Sequence, residues 1–315
     1  MDEVTEWLLR GDPAIRWQTM RDLTDAGGRA IERERRRVAQ EGWGARLLGL
    51  QDHDGRWACG IYTPKWTSTT YTLLLLRDLG LEARHPKALR GCRLLIDEGF
   101  WQDGGINYYA PKAQRSETCI TAMVLGIGCW FGLEDARLDR IAEHLLACQM
   151  PDGGWNCRAK PGGGGATHGS FHTTISTLEA LLLWGKPAAA AARARAEEFL
   201  LVHRLFRSHR TGEVAKPVFK RFYFPPRWHY DVLRGLDYFR AAGAARDRRM
   251  EDGIDLVRER RREDGTWNLD HLHPGKVFFQ LEQLHRPSRW NTLRALRVLR
   301  WWDAGPSRAR VQVNR

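Results

Sequence analysis

A short turn motif, Gln-x-x-Asp-Gly-x-Trp or a shortened variant of it, recurs along this chain at intervals of roughly 50 residues. The copies lie at 51–57 (QDHDGRW), 102–106 (QDGGI), 149–155 (QMPDGGW) and 263–267 (EDGTW), with a degenerate copy at 208–212 (SHRTG). A repeat of this length constrains the fold strongly, because one unit cannot bury its own apolar face and must pack against its neighbours. We therefore expect a series of similar structural units.

Amphipathic helical patterns flank the turns. The patterns before the turns are charged and cover about 31–49, 86–99, 136–148, 192–206 and 247–262, and the more apolar patterns after them cover about 67–80, 116–131, 172–185, 229–241 and 289–302. A further pair, at 4–10 and 13–25, has Asp12 as its predicted N-cap and Pro13 at the first helical position. Strand-like alternation is nearly absent, so the chain is predicted to be all-α.

Six helix pairs with a charged first helix and an apolar second one can bury their apolar faces by curving into a closed ring. The predicted fold is an α/α toroid, a double α-barrel with the apolar helices inside. We expect one domain over 1–315, made of an N-terminal helix pair (1–30), five repeats (31–303) and a basic tail (304–315). The first residues of all inner helices then face one mouth of the barrel.

The net charge of +12 comes mostly from arginines dispersed over helical segments, as expected of solvated outer helices. No nucleic-acid-binding motif accompanies them, so nucleic acid is not an expected partner. Six cysteines are too few for a disulfide scaffold in 315 residues. No apolar run reaches the roughly 20 residues of a membrane span, and the acidic start is unlike a secretory signal, so a cytoplasmic protein is expected.

The repeated turns look like the QW repeats of squalene and oxidosqualene cyclases. Their position between outer and inner helices resembles the α/α toroid that these cyclases share with the β subunits of protein prenyltransferases. The resemblance covers nearly the whole chain, and it implies an enzyme that holds an apolar, isoprenoid substrate in a central cavity. Protein prenyltransferases work with a helical partner subunit, and the sequence leaves open whether this chain has a protein partner.

The prenyltransferase resemblance also implies a metal site. In that family, an acid-x-Cys pair at the start of one inner helix and a His-Thr pair at the start of a later one hold zinc. Here Glu117-x-Cys119 and His172-Thr occupy such starts, with Cys157 in the loop between them.

Zinc also favours thiolate and imidazole ligands on chemical grounds. We predict zinc bound by Cys119, Cys157 and His172, with Glu117 as a fourth ligand or a base. His168 would replace a ligand or orient His172. The alternative is that both cysteines are small core residues and that His172 bonds to a neighbouring backbone group.

The cyclases protonate their substrate with an Asp-x-Asp-Asp motif that this chain lacks. The nearest substitute is Asp231, although an aspartate at a helix start can also cap the helix or pair with its dipole. We expect His229, Tyr230 and Asp231 to face the metal across the cavity as acid, base or substrate contacts.

Substrate-binding residues are expected at the mouth and are mostly aromatic. They are Trp66, Tyr71, Tyr109, Phe171, Tyr223, Trp228 and Trp290, together with Arg289 and Asn291. Aromatic faces can hold an isoprenoid chain or stabilise a carbocation. The glycine run at 162–165 lacks the remainder of a phosphate-binding loop and is predicted to form a flap over the mouth.

Three functions are compatible with these patterns. The preferred one is a zinc-dependent enzyme in which the metal activates a thiol or water toward an apolar, isoprenoid-like substrate. The second is a metal-free, squalene cyclase-like terpene cyclase that uses Asp231 as its acid. The third is a non-catalytic toroid that carries a lipid or a peptide.

Overall fold

The computed structural model describes residues 2–157 and 166–304. Its α-helices are α1 (Glu3–Leu9), α2 (Pro13–Leu23), α3 (Gly28–Arg36), α4 (Gly42–Gly49), α5 (Thr69–Leu79), α6 (Pro86–Gly99), α7 (Thr118–Trp130), α8 (Arg137–Ala147), α9 (Phe171–Trp184), α10 (Ala190–Val202), α11 (Val232–Ala241), α12 (Glu251–Glu259) and α13 (Arg289–Asp303). Short 3-10 helices lie at Arg37–Ala39, Pro187–Ala189, Pro217–Lys220 and Arg248–Met250. The predicted flap at 162–165 and the predicted tail from 305 onward lie outside the described residues.

The helices follow the sequence prediction closely. The charged pattern at 86–99 is α6, and the apolar pattern at 172–185 is α9 with each end shifted by one residue. The N-terminal pair is confirmed as α1 and α2. The Asp12 side chain accepts a hydrogen bond from the Ala14 N–H, and Pro13 is the first residue of α2, as predicted.

The predicted helix at 31–49 is instead divided into α3, a 3-10 turn and α4. The break lies at Gly42, whose φ is +65° and where a Cβ would lie 1.9 Å from Asp12 Oδ2. The same carboxylate accepts a hydrogen bond from the Trp43 N–H at 2.8 Å, so Asp12 caps α2 and α4 together. A glycine with positive φ and a tertiary contact with Asp12 therefore mark the start of α4.

An inner ring is formed by α2, α5, α7, α9, α11 and α13. It closes between α2 and α5, where the Trp17 indole N–H donates to the Leu79 carbonyl at 3.0 Å and the Gln18 amide donates to the Asp78 carbonyl at 3.1 Å. The inner helices are the buried ones, since α7 is buried over most of its length whereas α3 has no buried residue. The all-α toroid is thus the observed architecture.

The repeated turns tie the end of one outer helix to the start of the next inner helix. Trp57, Trp155 and Trp267 are fully buried, and each indole N–H donates at 2.7 Å to a carbonyl ten residues earlier. The backbone N–H of each tryptophan donates to a threonine hydroxyl near the start of the following inner helix, on Thr69, Thr174 and Thr292 respectively. Equivalent contacts therefore make the units alike in three dimensions.

Two segments between helices, 222–227 and 272–282, lie against the starts of the inner helices. Phe224 stacks on Trp290 with ring centroids 4.0 Å apart, and the Trp66 backbone N–H donates to the Lys276 carbonyl at 2.7 Å. These segments therefore cover the centre of the ring at its mouth. Among the described residues, no helix combines the length and the apolarity needed to cross a membrane.

Candidate functional site

Aromatic and imidazole rings gather at the mouth of the toroid. Trp66 meets Tyr71 edge to face at 4.7 Å between ring centroids, and Trp228 stacks on His229 at 3.7 Å. His273, which the sequence analysis did not select, stacks on the other face of His229 at 3.4 Å. Of the predicted substrate-binding residues, Trp66, Tyr71 and Trp228 are therefore brought together here.

Three of the four predicted metal ligands also meet. One ligand atom from each of Glu117, Cys119 and Cys157 lies within 4.8 Å of the other two. The Cys119 backbone N–H donates to Cys157 Sγ at 3.4 Å, and Cys119 Sγ lies 3.9 Å from Glu117 Oε2. Hydrogen bonding from Cys119 lowers the pKa of the Cys157 thiol, whereas that contact and burial raise the pKa of Cys119. The arrangement therefore brings two thiols with oppositely shifted pKa values beside a carboxyl group.

His172 does not join this group. Its Nδ1 accepts a hydrogen bond from the Tyr230 backbone N–H at 2.9 Å, and its ring lies against Trp228 and Phe219. Burial and nearby positive charge lower the pKa of His172 to about 4. This contact corresponds to the alternative interpretation, in which His172 forms a hydrogen bond with a neighbouring backbone group. His168 is exposed, with its Nδ1 3.2 Å from the Thr167 hydroxyl, and is not in the group either.

Asp231 and Tyr230 form hydrogen bonds within the fold, and neither belongs to the Glu117–Cys119–Cys157 group. Asp231 is the N-cap of α11 and is fully buried, with Oδ1 accepting a hydrogen bond from the Arg234 N–H at 2.7 Å. The buried Tyr230 hydroxyl donates to the Leu205 carbonyl at 2.6 Å. The physical reason is that α11 begins three residues later than predicted, so residues 229–231 are not helical and only His229 reaches the ring cluster.

The remaining predicted substrate contacts are dispersed. Phe171 packs on Phe199 and Phe219, whereas Tyr109 lies on the surface with its ring edge-on to Tyr62. At the start of α13, Trp290 stacks on Phe224, the Asn291 side chain donates to the Asn268 carbonyl, and the Arg289 guanidinium lies over the Trp7 ring at 4.3 Å. Arg289, Trp290 and Asn291 therefore do not join the ring cluster. Tyr223 does, with its ring centroid 4.4 Å from that of His273.

A carboxyl group that was not among the predicted site residues lines two cavities of the ring. Asp78, in the last turn of α5, lines a small cavity beneath the segment 272–282 and also a second, more open cavity of about 240 Å³ toward the C-terminal ends of the inner helices. Its Oδ1 accepts two hydrogen bonds from Arg77, at 3.1 and 2.9 Å, while its Oδ2 has no partner. Burial, with the nearby Glu179 charge, raises the pKa of Asp78. The signal that could have identified it is an acid at the end of the apolar run of α5, next to Arg77.

Buried ion pairs join neighbouring inner helices, and Glu179, Arg234, Asp237 and Arg297 of these pairs line the second cavity together with Asp78. Arg234 of α11 donates two hydrogen bonds of 2.8 Å to Glu179 of α9. Arg297 of α13 binds Asp237 of α11 and lies 3.2 Å from Asp22 of α2. Burial alone would raise the pKa values of Asp237 and Glu179, but the neighbouring arginines hold both below their ordinary values. We call Asp22, Glu179, Arg234, Asp237 and Arg297 the paired interior.

No protein-family model matches the chain, and no curated protein matches it. Similar solved structures include a protein from Actinoplanes, at 17% identity, with 92% of this chain and 88% of that chain covered and a TM-score of 0.49. They also include type II terpene cyclase MstE from Scytonema. A variant of it in complex with geranylgeranyl dihydroxybenzoate has 16% identity, 95% and 86% coverage and a TM-score of 0.46. A variant in complex with merosterolic acid A has 14% identity, 92% and 86% coverage and a TM-score of 0.47.

A type II terpene cyclase thus stands among the similar solved structures. At these identities the similarity concerns the fold and not the chemistry of this chain.

Proposed function

We propose that this chain is an enzyme of the terpene cyclase type that takes up an apolar, isoprenoid-like substrate and protonates it from a buried carboxylic acid. The observation that carries the proposal is the state of Asp78. It lines both cavities, its pKa is raised, and one of its oxygens has no protein partner. Asp231 also has a raised pKa and an unpartnered Oδ2, but it caps α11 and is not among the residues that line either cavity. Asp78 therefore takes the acid role that was predicted for Asp231.

The hydrogen bonds of Asp78 suit an acid. Both Arg77 donors point at Oδ1, so the proton of the neutral acid belongs on Oδ2, where no protein acceptor competes for it. Transfer of that proton to a carbon–carbon double bond forms a C–H bond and leaves a carbocation, and Asp78 becomes a carboxylate paired with Arg77. Loss of a proton from the cation to Asp78 then restores the acid.

The aromatic residues that line the cavity suit a carbocation intermediate. Trp66, Tyr71 and Phe224 line the space next to Asp78, and aromatic faces attract a cation within about 6 Å of the ring centroid. The cavity holds only about 50 Å³ in this conformation, so substrate entry requires the covering segment 272–282 to be displaced. Exclusion of water after closure would protect the carbocation from hydrolysis.

The decisive experiment compares Asp78→Asn with Asp231→Asn. Each purified variant is incubated with linear farnesyl and geranylgeranyl compounds and with squalene, and products of unchanged mass are sought by gas chromatography and mass spectrometry. We expect turnover by the wild type and by Asp231→Asn, and a loss of at least 100-fold in Asp78→Asn. Asparagine still caps a helix, but Asp231→Asn also removes the buried carboxylate 3.7 Å from Arg294, so the variants are compared at a temperature at which circular dichroism shows each to be folded. Full activity of Asp78→Asn contradicts the acid assignment. An apolar ligand recovered unchanged from every protein supports the non-catalytic carrier.

The turnover rate should also decrease as the pH rises. The neutral form of Asp78 is the active one, so turnover is highest at low pH and falls as the pH rises through the pKa of Asp78, which lies above that of an ordinary aspartate. A rate that increases with pH over this range would instead require an ionised group as the catalyst.

A second candidate function rests on a separate observation, the meeting of Glu117, Cys119 and Cys157. Two thiols and a carboxyl group form a donor set that suits zinc, and three protein ligands leave a fourth position open, as in catalytic sites. A bound zinc would supply a Lewis acid that lowers the pKa of a bound water or thiol. In this case Glu117, Cys119 and Cys157 hold the metal, and His172 is not a ligand.

Metal content tests this candidate directly. We expect about one zinc per chain in protein purified without a histidine tag, its loss in Cys119→Ala, and its retention in the matched variant His172→Gln. Loss of zinc from both variants would restore His172 as a ligand. Absence of metal from the wild type would remove this candidate and leave the acid mechanism.

A further inference from the structure

Buried polar atoms without a hydrogen-bond partner are concentrated at one place in the described chain. They include Arg227 Nη1, Trp228 Nε1, His229 Nδ1, His273 Nε2 and the Tyr223 hydroxyl. Ring contacts connect them, since His229 lies between Trp228 and His273 and Tyr223 packs on His273. We call these five residues the Arg227 cluster. Buried polar groups are normally paired, so this concentration requires an explanation.

Arg227 is the most unusual member. Its side chain is buried, with 9% of the residue exposed, and its guanidinium lies over the Trp66 ring at 4.0 Å. Among the described residues, no carboxylate lies within salt-bridge distance of it. By contrast, the buried Arg294 has Asp231 at 3.7 Å.

A buried charge without a counter-ion is strongly unfavourable, and burial lowers the pKa of Arg227 to about 9. The site therefore lacks the negative charge that would balance it.

The unpartnered hydrogen-bond donors of the Arg227 cluster indicate which kind of ligand would complete it. A guanidinium and an indole N–H can only donate hydrogen bonds, so the complement of Arg227 and Trp228 must accept them. The Lys65 ammonium adds a second positive charge, 5.6 Å from the Trp66 ring centroid and 5.7 Å from that of Trp228. Two positive charges make a cation unfavourable here, and an anion with several oxygen acceptors fits.

We infer that the Arg227 cluster binds the anionic oxygens of the substrate's head group, either a carboxylate or a phosphate. This inference rests on the proposed function and names the class of its substrate. Arg227, Trp66 and Asp78 line the same central cavity. A head group held at Arg227 therefore places the apolar chain along the aromatic wall toward the acid, and the bidentate guanidinium fixes its orientation.

The test uses small anions and no substrate. Wild type, Arg227→Met and the surface control Arg84→Met are titrated with inorganic phosphate, diphosphate and benzoate, and binding is read from tryptophan fluorescence and from the shift in melting temperature. We expect saturable binding to the wild type and to Arg84→Met, with at least tenfold weaker affinity in Arg227→Met. Preference for phosphate or diphosphate identifies a phosphorylated head group, and preference for benzoate identifies a carboxylate. Absence of saturable binding of all three anions to the wild type overturns the inference.

The melting temperature of Arg227→Met provides an independent test of the inference. Because Arg227→Met removes an unpaired buried charge, its melting temperature without anions should equal or exceed that of the wild type. Anions should raise the melting temperature of the wild type but not that of Arg227→Met. Equal anion affinity in the two proteins contradicts the inference, as does a marked loss of stability in anion-free Arg227→Met. Anion binding without turnover would instead contradict only the proposed function.

Discussion

The paired interior and the Arg227 cluster use the same residue types in opposite ways. In the paired interior, Arg234 and Arg297 each have a carboxylate from a neighbouring inner helix, so the charges connect α2, α9, α11 and α13. In the Arg227 cluster, the arginine has no carboxylate and its neighbours keep unpartnered polar atoms. Satisfied polar groups rigidify a core, whereas unsatisfied ones are costly unless a ligand completes them. The difference separates residues that hold the ring closed from residues available to a substrate.

The largest expected effect lies in the paired interior. Asp237→Asn leaves Arg297 and Arg240 with one carboxylate fewer in a buried site, and we expect a loss of about 3–5 kcal/mol in the free energy of unfolding. Urea unfolding followed by circular dichroism measures it. The matched control is Glu134→Gln, which breaks the exposed pair with Arg84 and should cost less than about 1 kcal/mol. Equal losses in the two variants would show that the interior pairs do not stabilise the ring.

Acid should weaken the paired interior. The pKa values of Asp237 and Glu179 are lowered in the folded state, so their contribution is present above the unfolded pKa of about 4 and is lost as the pH falls through the folded values. We expect the free energy of unfolding to fall as the pH is lowered from about 5 toward 3. The decrease should be smaller in Asp237→Asn, and an identical decrease would assign the acid sensitivity to other carboxylates.

The smallest effect is expected at the mouth. Lys65 lies near the rings of Tyr62, Trp66 and Trp228 and has no carboxylate within salt-bridge distance among the described residues. Lys65→Met should therefore change the free energy of unfolding by less than about 0.5 kcal/mol, measured by the same urea titration. A loss comparable to that in Asp237→Asn would mean that the mouth charges also hold the fold together.

The predicted site separated into parts that local sequence could specify and parts that it could not. Glu117 and Cys119 precede or begin α7, and Cys157 lies in the loop before α9, so adjacent hairpins of a ring bring them together. The sequence left two roles open for Asp231, because a one-turn uncertainty in the start of α11 decides whether it caps the helix or faces the cavity. His273 was missed, since its place depends on how the segment 272–282 folds back over the mouth.

The periodicity of the apolar residues and the spacing of the turns determined the helices, their alternation between outer and inner positions and the ring. These features depend on contacts within one repeat or between adjacent repeats, such as the bond from Trp155 to Thr174. Tertiary structure alone decided which charges are paired. Asp237 and Arg297 lie on different helices, and Arg227 meets Trp66 from a distant segment, so their burial and their partners exist only once the ring has closed. Because burial sets the energetic consequence of an unpaired charge, the candidate site became apparent only in the folded chain.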